Sequence, residues 1–319
     1  MLHKIIAICL SGLFAFQIHA TSIAHLSSTL TAQQAQQDVE QWIDFIEKTH
    51  PDLSYTVKDV EQFYKKVDGL KKQFEKPILV KDFWLEMMTL NSELSDGHLS
   101  LTPPKLAEIA REHIANGGAL FPFRVVFDGD DLVIKSKLNK QHSSMQGYKI
   151  HNINGVAIAE ILAPLFQRTH GDSLIQQRAI LQTRFSEYYW LYYGNQTKFV
   201  IDVENDHVIN NVVLDLTAQS PSDVISLDKS FEKTFNFEVN NNAGVLTVKS
   251  FRYYKDKEKF NQFFKSVFQK IKSQKLDHLV IDVRGNGGGD DTWKQGILPY
   301  IADKPWRTGS KYKLKVLEG

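Results

Sequence analysis

From residue 31 onward the chain sets apolar side chains at helical spacing. Val39, Trp42, Ile43 and Ile46 form one stripe, with Thr31 ahead of it as a capping residue and His50-Pro51 behind it as a stop. A second stripe, Val60, Phe63, Val67, Leu70 and Phe74, predicts another helix. A third helix, beginning near Pro77, carries Phe83, Met87, Leu90 and Leu94. Three such stripes can bury one another, so residues 31–116 read as a small helical bundle. The period breaks at Ser95-Asp96-Gly97-His98, followed by a strand-like run, Leu99–Thr102, and Pro103-Pro104.

Near Leu120 the alternation changes to that of strands. Phe123–Phe127, Asp131–Lys135 and Tyr148–Ile153 read as extended segments, with turn signals at Asp128-Gly129-Asp130 and Asn154-Gly155. A helical piece follows at Ala157–Phe166, then a strand pair, Lys198–Val203 and Val208–Leu216, joined at Glu204–His207. Residues 217–230 are polar and read as a linker. Beyond them come strands at Phe235–Val239 and Gly244–Phe251 and an amphipathic helix at Asp256–Ser273. An apolar strand, Leu279–Val283, a helix near Thr292–Ala302 and a last strand, Tyr312–Val316, complete the reading. Strand–helix–strand–helix is the start of an α/β core.

The composition of the 319 residues, 42% hydrophobic and 24% charged, is that of a folded protein. A formal charge of +1 offers no electrostatic footprint for nucleic acid or for an anionic membrane. The N-terminus has the organisation of an export signal: Lys4, an apolar run Ile5–Phe16, and a cleavage region Gln17-Ile18-His19-Ala20. The run is too short for a comfortable membrane span, although an uncleaved anchor is the alternative. Cleavage after Ala20 would remove Cys9, the one cysteine, and leave 37 basic and 37 acidic residues. The mature protein would then be exported, periplasmic or extracellular, and free of disulfides and of cysteine-bound metal.

Two segments bring chemistry into the picture. The strand at Leu279–Val283 empties into Arg284-Gly285-Asn286-Gly287-Gly288-Gly289, a backbone that no side chain hinders. Such a loop is either a tight strand-to-helix turn or a set of N–H donors aimed at a developing negative charge. It is neither GxGxxG nor GxxxxGK[ST], so nucleotide binding is not indicated. The second segment is Asp96-Gly97-His98. No histidine pair has the HExxH spacing of a metal site, and neither a metal nor a cofactor is expected. The remaining histidines, His113, His170 and His278 among them, read as ordinary solvated or hydrogen-bonded side chains.

Taken together, Glu93–His98, the segment Gly147–Val156 (GYKIHNINGV) and Ile281–Gly289 (IDVRGNGGG) resemble the tail-specific (C-terminal-processing) serine peptidase family in order and spacing. His50-Pro51 at a helix end is similar to that family's N-terminal region. The resemblance spans roughly residues 31–319. After the export signal read over 1–20, it implies a multi-domain α/β protein: an N-terminal helical region with the DGH loop over 21–118, a PDZ-like β-rich substrate-binding insert over 119–217, and the start of a crotonase-like/ClpP-like core over 218–319. It further implies that Gly288, with Gly287 the next choice, donates an N–H to an oxyanion hole. His98 would be the general base in the histidine-using branch of the family, which the Asp96-Gly97-His98 form is more similar to. Other branches use a serine–lysine dyad. Asp96 either orients the imidazole or caps a turn.

The chain departs from the family pattern at the nucleophile. Ser310, in Thr308-Gly309-Ser310-Lys311, lacks the expected context, and Lys294 and Lys311 do not match the dyad lysine. The sequence is therefore read as an exported serine-type peptidase lacking its nucleophilic serine, acting on peptide or unfolded protein. The alternative is a non-catalytic peptide-binding relative that uses the PDZ-like module.

Overall fold

Thr31 starts the first long helix as its sequence predicts, through a reciprocal cap. Its Oγ1 accepts from the Gln34 N–H at 3.2 Å, and Gln34 Oε1 accepts from the Thr31 N–H at 2.9 Å. The computed structural model describes residues 23–57, 59–138, 143–216, 219, 230–251, 257–289 and 293–305. The proposed signal segment with Cys9, most of the 217–230 stretch, Ser310, Lys311, the strand expected at 312–316 and the Lys294 side chain lie outside this description. The described residues fall into two compact units, 23–219 and 230–305.

The first unit opens with α1 (Ile23–Leu26), β1 (Thr29–Leu30), α2 (Ala32–Thr49) and α3 (Val60–Gln73), the last capped by Asp59. β2 (Ile78–Leu79) pairs with β1, so α4 (Val80–Met87) starts three residues later than Pro77 suggests. Its continuation, Met88–Glu93, tightens into 3-10 geometry. The three predicted stripes meet: Val39, Phe63, Val67, Leu70, Phe83, Met87, Leu90 and Leu94 share one core.

Leu99–Thr102 is not a strand. The buried Asn91 side chain takes the place of a neighbouring strand, accepting from the Leu101 N–H and donating to the Leu101 carbonyl, both at 2.7 Å. Its amide also donates to the Arg168 carbonyl at 2.8 Å. Paired in this way, Leu101 satisfies its backbone without a sheet.

After α5 (Leu106–Ala115) come β3 (Phe123–Asp128), β4 (Asp131–Lys137), β5 (Lys149–Ile153), β6 (Val156–Ala157), α6 (Ile158–Gln167), α7 (Leu174–Tyr193), β7 (Lys198–Asn205) and β8 (Val208–Asp215). Among the described residues the strands form one antiparallel sheet in the order β3-β4-β5-β7-β8, with β6 on β5. Two hairpin turns, Asn154-Gly155 and Asp206-His207, have positive φ at both positions, the geometry that matches strand twist. One core joins α4, α5, α6 and α7 to the inner face of the sheet. At its centre the Phe121 ring meets Phe123, Phe185, Tyr189 and Phe199 at 5.3–6.0 Å. The helix α7 has no simple apolar stripe, because Leu181, Phe185, Tyr188, Tyr189, Trp190 and Leu191 are buried around its circumference.

The second unit contains α8 (Phe231–Thr234), β9 (Phe235–Asn240), β10 (Ala243–Val248), α9 (Lys257–Ser273), β11 (His278–Asp282) and α10 (Trp293–Ile301). β10 and β11 are parallel and β9 is antiparallel to β10, giving the order β11-β10-β9. Parallel neighbours need a long crossover, and α9 lies within it. Phe231, Phe235, Leu246, Val248, Phe260, Phe264, Val267 and Ile297 are buried together. The two units are the mixed helix–sheet, multi-domain architecture expected from the sequence pattern.

Candidate functional site

The first unit carries the Asp96–His98 loop. It leaves the 3-10 turn at Leu94 and is anchored where the Ser95 N–H donates to the Thr56 carbonyl at 2.7 Å. Asp96 Oδ1 accepts from the His98 backbone N–H at 2.7 Å, which makes a tight side-chain-capped turn. The same oxygen is 3.6 Å from His98 Nδ1, too far for a hydrogen bond, and Asp96 Oδ2 is 4.0 Å from His50 Nε2. The His98 imidazole stands fully in solvent.

The loop is also held by residues far away in sequence. The Gly97 N–H donates to Asp172 Oδ1 at 2.6 Å, and the Asp172 N–H donates to Gln176 Oε1 at 2.6 Å. Ser173 caps α7 by accepting from the Gln176 N–H at 3.3 Å. A Cβ on Gly97 would come within 2.3 Å of Gln176 Nε2, so the two segments fit closely because residue 97 is glycine. His170 is also near Gly97. Burial, then the Arg184 charge, pushes its imidazole below the ordinary histidine range, and its Nδ1 is buried without a hydrogen bond. Asp172 and Gln176 are supports that motif reading misses. Ser173-x-x-Gln176 after Gly171-Asp172 is a helix-start signature that points to the segment, although not to its partner.

The second unit carries the glycine loop, at the carboxyl end of β11. Parallel α/β sheets commonly place ligands at this end of their strands. The start of the loop is clamped by charge. Arg284 Nε and Nη2 donate to the two Asp282 oxygens at 2.9 and 3.0 Å, and Lys249 Nζ lies 3.6 Å from Asp282 Oδ2. The Arg284 guanidinium holds the Asp282 carboxyl well below the usual carboxylate range. Asn286 continues the hold: its N–H donates to the Val283 carbonyl and its Nδ2 to the Val248 carbonyl, both at 3.0 Å. Phe251 N–H donates to the Gly288 carbonyl at 2.9 Å.

The two glycines expected to supply the oxyanion hole differ. The Gly288 N–H donates to Asn286 Oδ1 at 2.8 Å, and Gly288 has φ +85°, which favours glycine. The Gly287 N–H has no hydrogen bond among the described residues, its φ is not positive, and a Cβ there would meet nothing within 4 Å. In this conformation Gly287, the second choice from sequence, has the uncommitted donor. The Gly288 N–H is taken by Asn286. The structure thus places Asp96 and His98 together in one unit and Gly287 and Gly288 together in the other. Among the described residues no three His, Cys, Asp or Glu side chains form a metal-holding group, and no helix is long and apolar enough to cross a membrane.

The model of peptidase family S41 matches residues 242–313, the stretch holding β10, α9, β11 and the glycine loop. The chain resembles that family. Among solved structures, mature CPAF is similar with a TM-score of 0.59 at 12% identity, covering 86% of this chain and 59% of CPAF. A serine-to-alanine mutant of CPAF gives a TM-score of 0.60 at 11% identity, with 86% and 60% covered. At such identity the likeness is one of fold, and the chain spans about three-fifths of the length of those structures. No curated protein matches the chain.

Proposed function

We propose that this chain belongs to an exported serine-type peptidase of the tail-specific kind, which cleaves peptide or unfolded protein through an acyl-enzyme. The observation that carries the reading is the glycine loop. It sits at the carboxyl end of a parallel strand inside the span matched by the S41 model, with an open backbone donor at Gly287. In acyl transfer a serine oxygen attacks the scissile carbonyl while its proton passes to a base. The carbonyl oxygen becomes an anion, which the Gly287 N–H and a released Gly288 N–H would bind. Loss of one such donor costs about 2.7–4 kcal/mol of barrier. His98 is the proposed base; it returns the proton to the leaving amine, and water then resolves the ester. Asp96 holds the turn that presents it.

No serine between Gly289 and Gly319 stands in the family's nucleophile context, and the proposal assigns the nucleophile to none of the residues named above. Export rests on the 1–20 segment and places the protein in the periplasm or outside the cell. The test is cleavage of an unfolded protein by the product of the complete reading frame. Cleavage that His98→Ala reduces by 100-fold or more supports the reading. A folded product that leaves the substrate intact would sink it.

The second reading is a non-catalytic peptide binder, in which the antiparallel sheet acts as a PDZ-like module. The supporting observation is the open edge at β8, where an extended peptide could add as a strand. Saturable peptide binding without cleavage by the complete product would favour it.

A further inference from the structure

The two ends of the antiparallel sheet are finished differently. At the β3 end, α7 takes the backbone groups that an added strand would need. Ser186 Oγ donates to the Phe121 and Phe123 carbonyls at 2.8 and 3.3 Å, and the Phe127 N–H donates to Gln182 Oε1 at 3.2 Å. At the other end, β8 pairs with β7 alone among the described residues, from Asn205↔Val208 to Lys198↔Asp215 without a bulge. The two-residue turn makes Asn205–Val208 a hydrogen-bonded pair. By the alternation of an antiparallel ladder, the N–H and C=O groups of Ile209, Asn211 and Val213 then face away from β7. None of them has a hydrogen bond among the described residues.

Exposed edges in natural proteins are usually blunted by lysine, proline, a bulge or a cover. Among the described residues Val208–Leu214 has none of these: it contains no charge and no proline, and Val208, Ile209 and Val213 are 59%, 59% and 55% exposed. We propose that this edge is a self-association surface, where β8 pairs antiparallel with β8 of a second copy, centred on Asn211.

The side chains select that partner and that register. Antiparallel pairing requires outward-facing residues to lie opposite each other, and centring on Asn211 satisfies this along the strand. Ile209 then faces Val213 of the second copy at two symmetric places, and Val208 faces Leu214. Cross-strand aliphatic pairs are among the contacts that stabilise sheets. Because α7 occupies the β3 edge, pairing through β8 stops at two copies and gives a closed, two-fold dimer rather than a fibre. The inference is independent of any peptidase chemistry.

The test is the oligomeric state of the protein in solution, with cross-linking to report the register. The wild-type chain is expected to sediment as a dimer at tens of micromolar. Val213→Lys should make it monomeric with an unchanged circular dichroism spectrum, while Val213→Thr should leave it dimeric. With Cys9 replaced by serine, Asn211→Cys should give a disulfide-linked dimer on mild oxidation. Directly opposed Cα atoms at such a pair lie about 5.5 Å apart, within disulfide reach. Asp206→Cys should not cross-link, because its two copies would lie about 34 Å apart along the strands at ~3.4 Å per residue. A monomeric wild type, or a dimer that survives Val213→Lys, overturns the proposal. So does a monomer whose β8 edge instead binds extended peptides.

Discussion

The two loops that carry candidate chemistry are held in opposite ways. The Asp96–His98 loop has one local cap and is otherwise pinned from a distance, by Asp172 and Gln176 at the start of α7. The glycine loop is held mainly by its own Asp282, Arg284 and Asn286, with further bonds to Val248 at the end of β10 and to Lys249 and Phe251 just after it. A locally closed loop keeps its shape whenever its strand is in place. A remotely pinned loop depends on two segments of the fold staying in register.

The largest effect that would break this comparison is loss of the second unit's core. Phe264 is fully buried among Phe235, Phe260 and Phe263, and Phe264→Ala should cost about 3–5 kcal/mol. Hydrogen exchange should then show loss of protection in β10, β11 and the glycine loop, while the amide of Gly97 is unchanged.

Acid should separate the units in the other sense. His113 stacks on Trp190 at 4.7 Å beside Asn195, and burial lowers its affinity for protons, as it does for His170. Both are favoured as neutral in the folded chain, whereas the unfolded chain takes up protons below about pH 6.5. Their contribution is complete above that pH and declines as pH falls through it, by at most about 1.4 kcal/mol per pH unit each before solvent screening. Asp282 has the depressed carboxylate of the second unit, and its contribution holds until pH falls towards the unfolded carboxylate value of about 3.9. Chemical denaturation followed between pH 7 and pH 4.5 should show the first unit weakening before the second. His113→Gln should flatten part of that slope.

Smaller effects sharpen the contrast within the glycine loop. Gly288→Ala forces a side chain into left-handed backbone and should cost about 1–2 kcal/mol. Gly287→Ala meets no neighbour and should stay within about 0.5 kcal/mol. Thermal melts of the two variants check this ranking.

Asp172→Ala should cost about 1 kcal/mol, since its bond to Gly97 is charge-assisted but exposed. It should speed exchange of the Gly97 amide and leave the glycine loop untouched.

The same contrast explains what could be read in the sequence. Thr31, the stripes of α2 and α3, the Asn154-Gly155 turn and the Arg284–Gly289 loop are local patterns, and each forms where expected. What failed depends on distant partners. Leu99–Thr102 has a strand-like pattern, but a buried Asn91 side chain pairs Leu101 where a strand would. The helix α7 hid because its apolar residues surround it rather than lining one face. Asp172 reaches Gly97 across 75 residues, a distance no motif encodes.

The central claim is that the glycine loop serves a nucleophilic serine. Labelling of the complete reading-frame product with a serine-directed fluorophosphonate tests it most directly. The account predicts one modified serine C-terminal to Gly289, with labelling slowed by His98→Ala and unchanged by Asn211→Cys. A folded product that takes up no label, or that is modified only at a serine before the glycine loop, would contradict it.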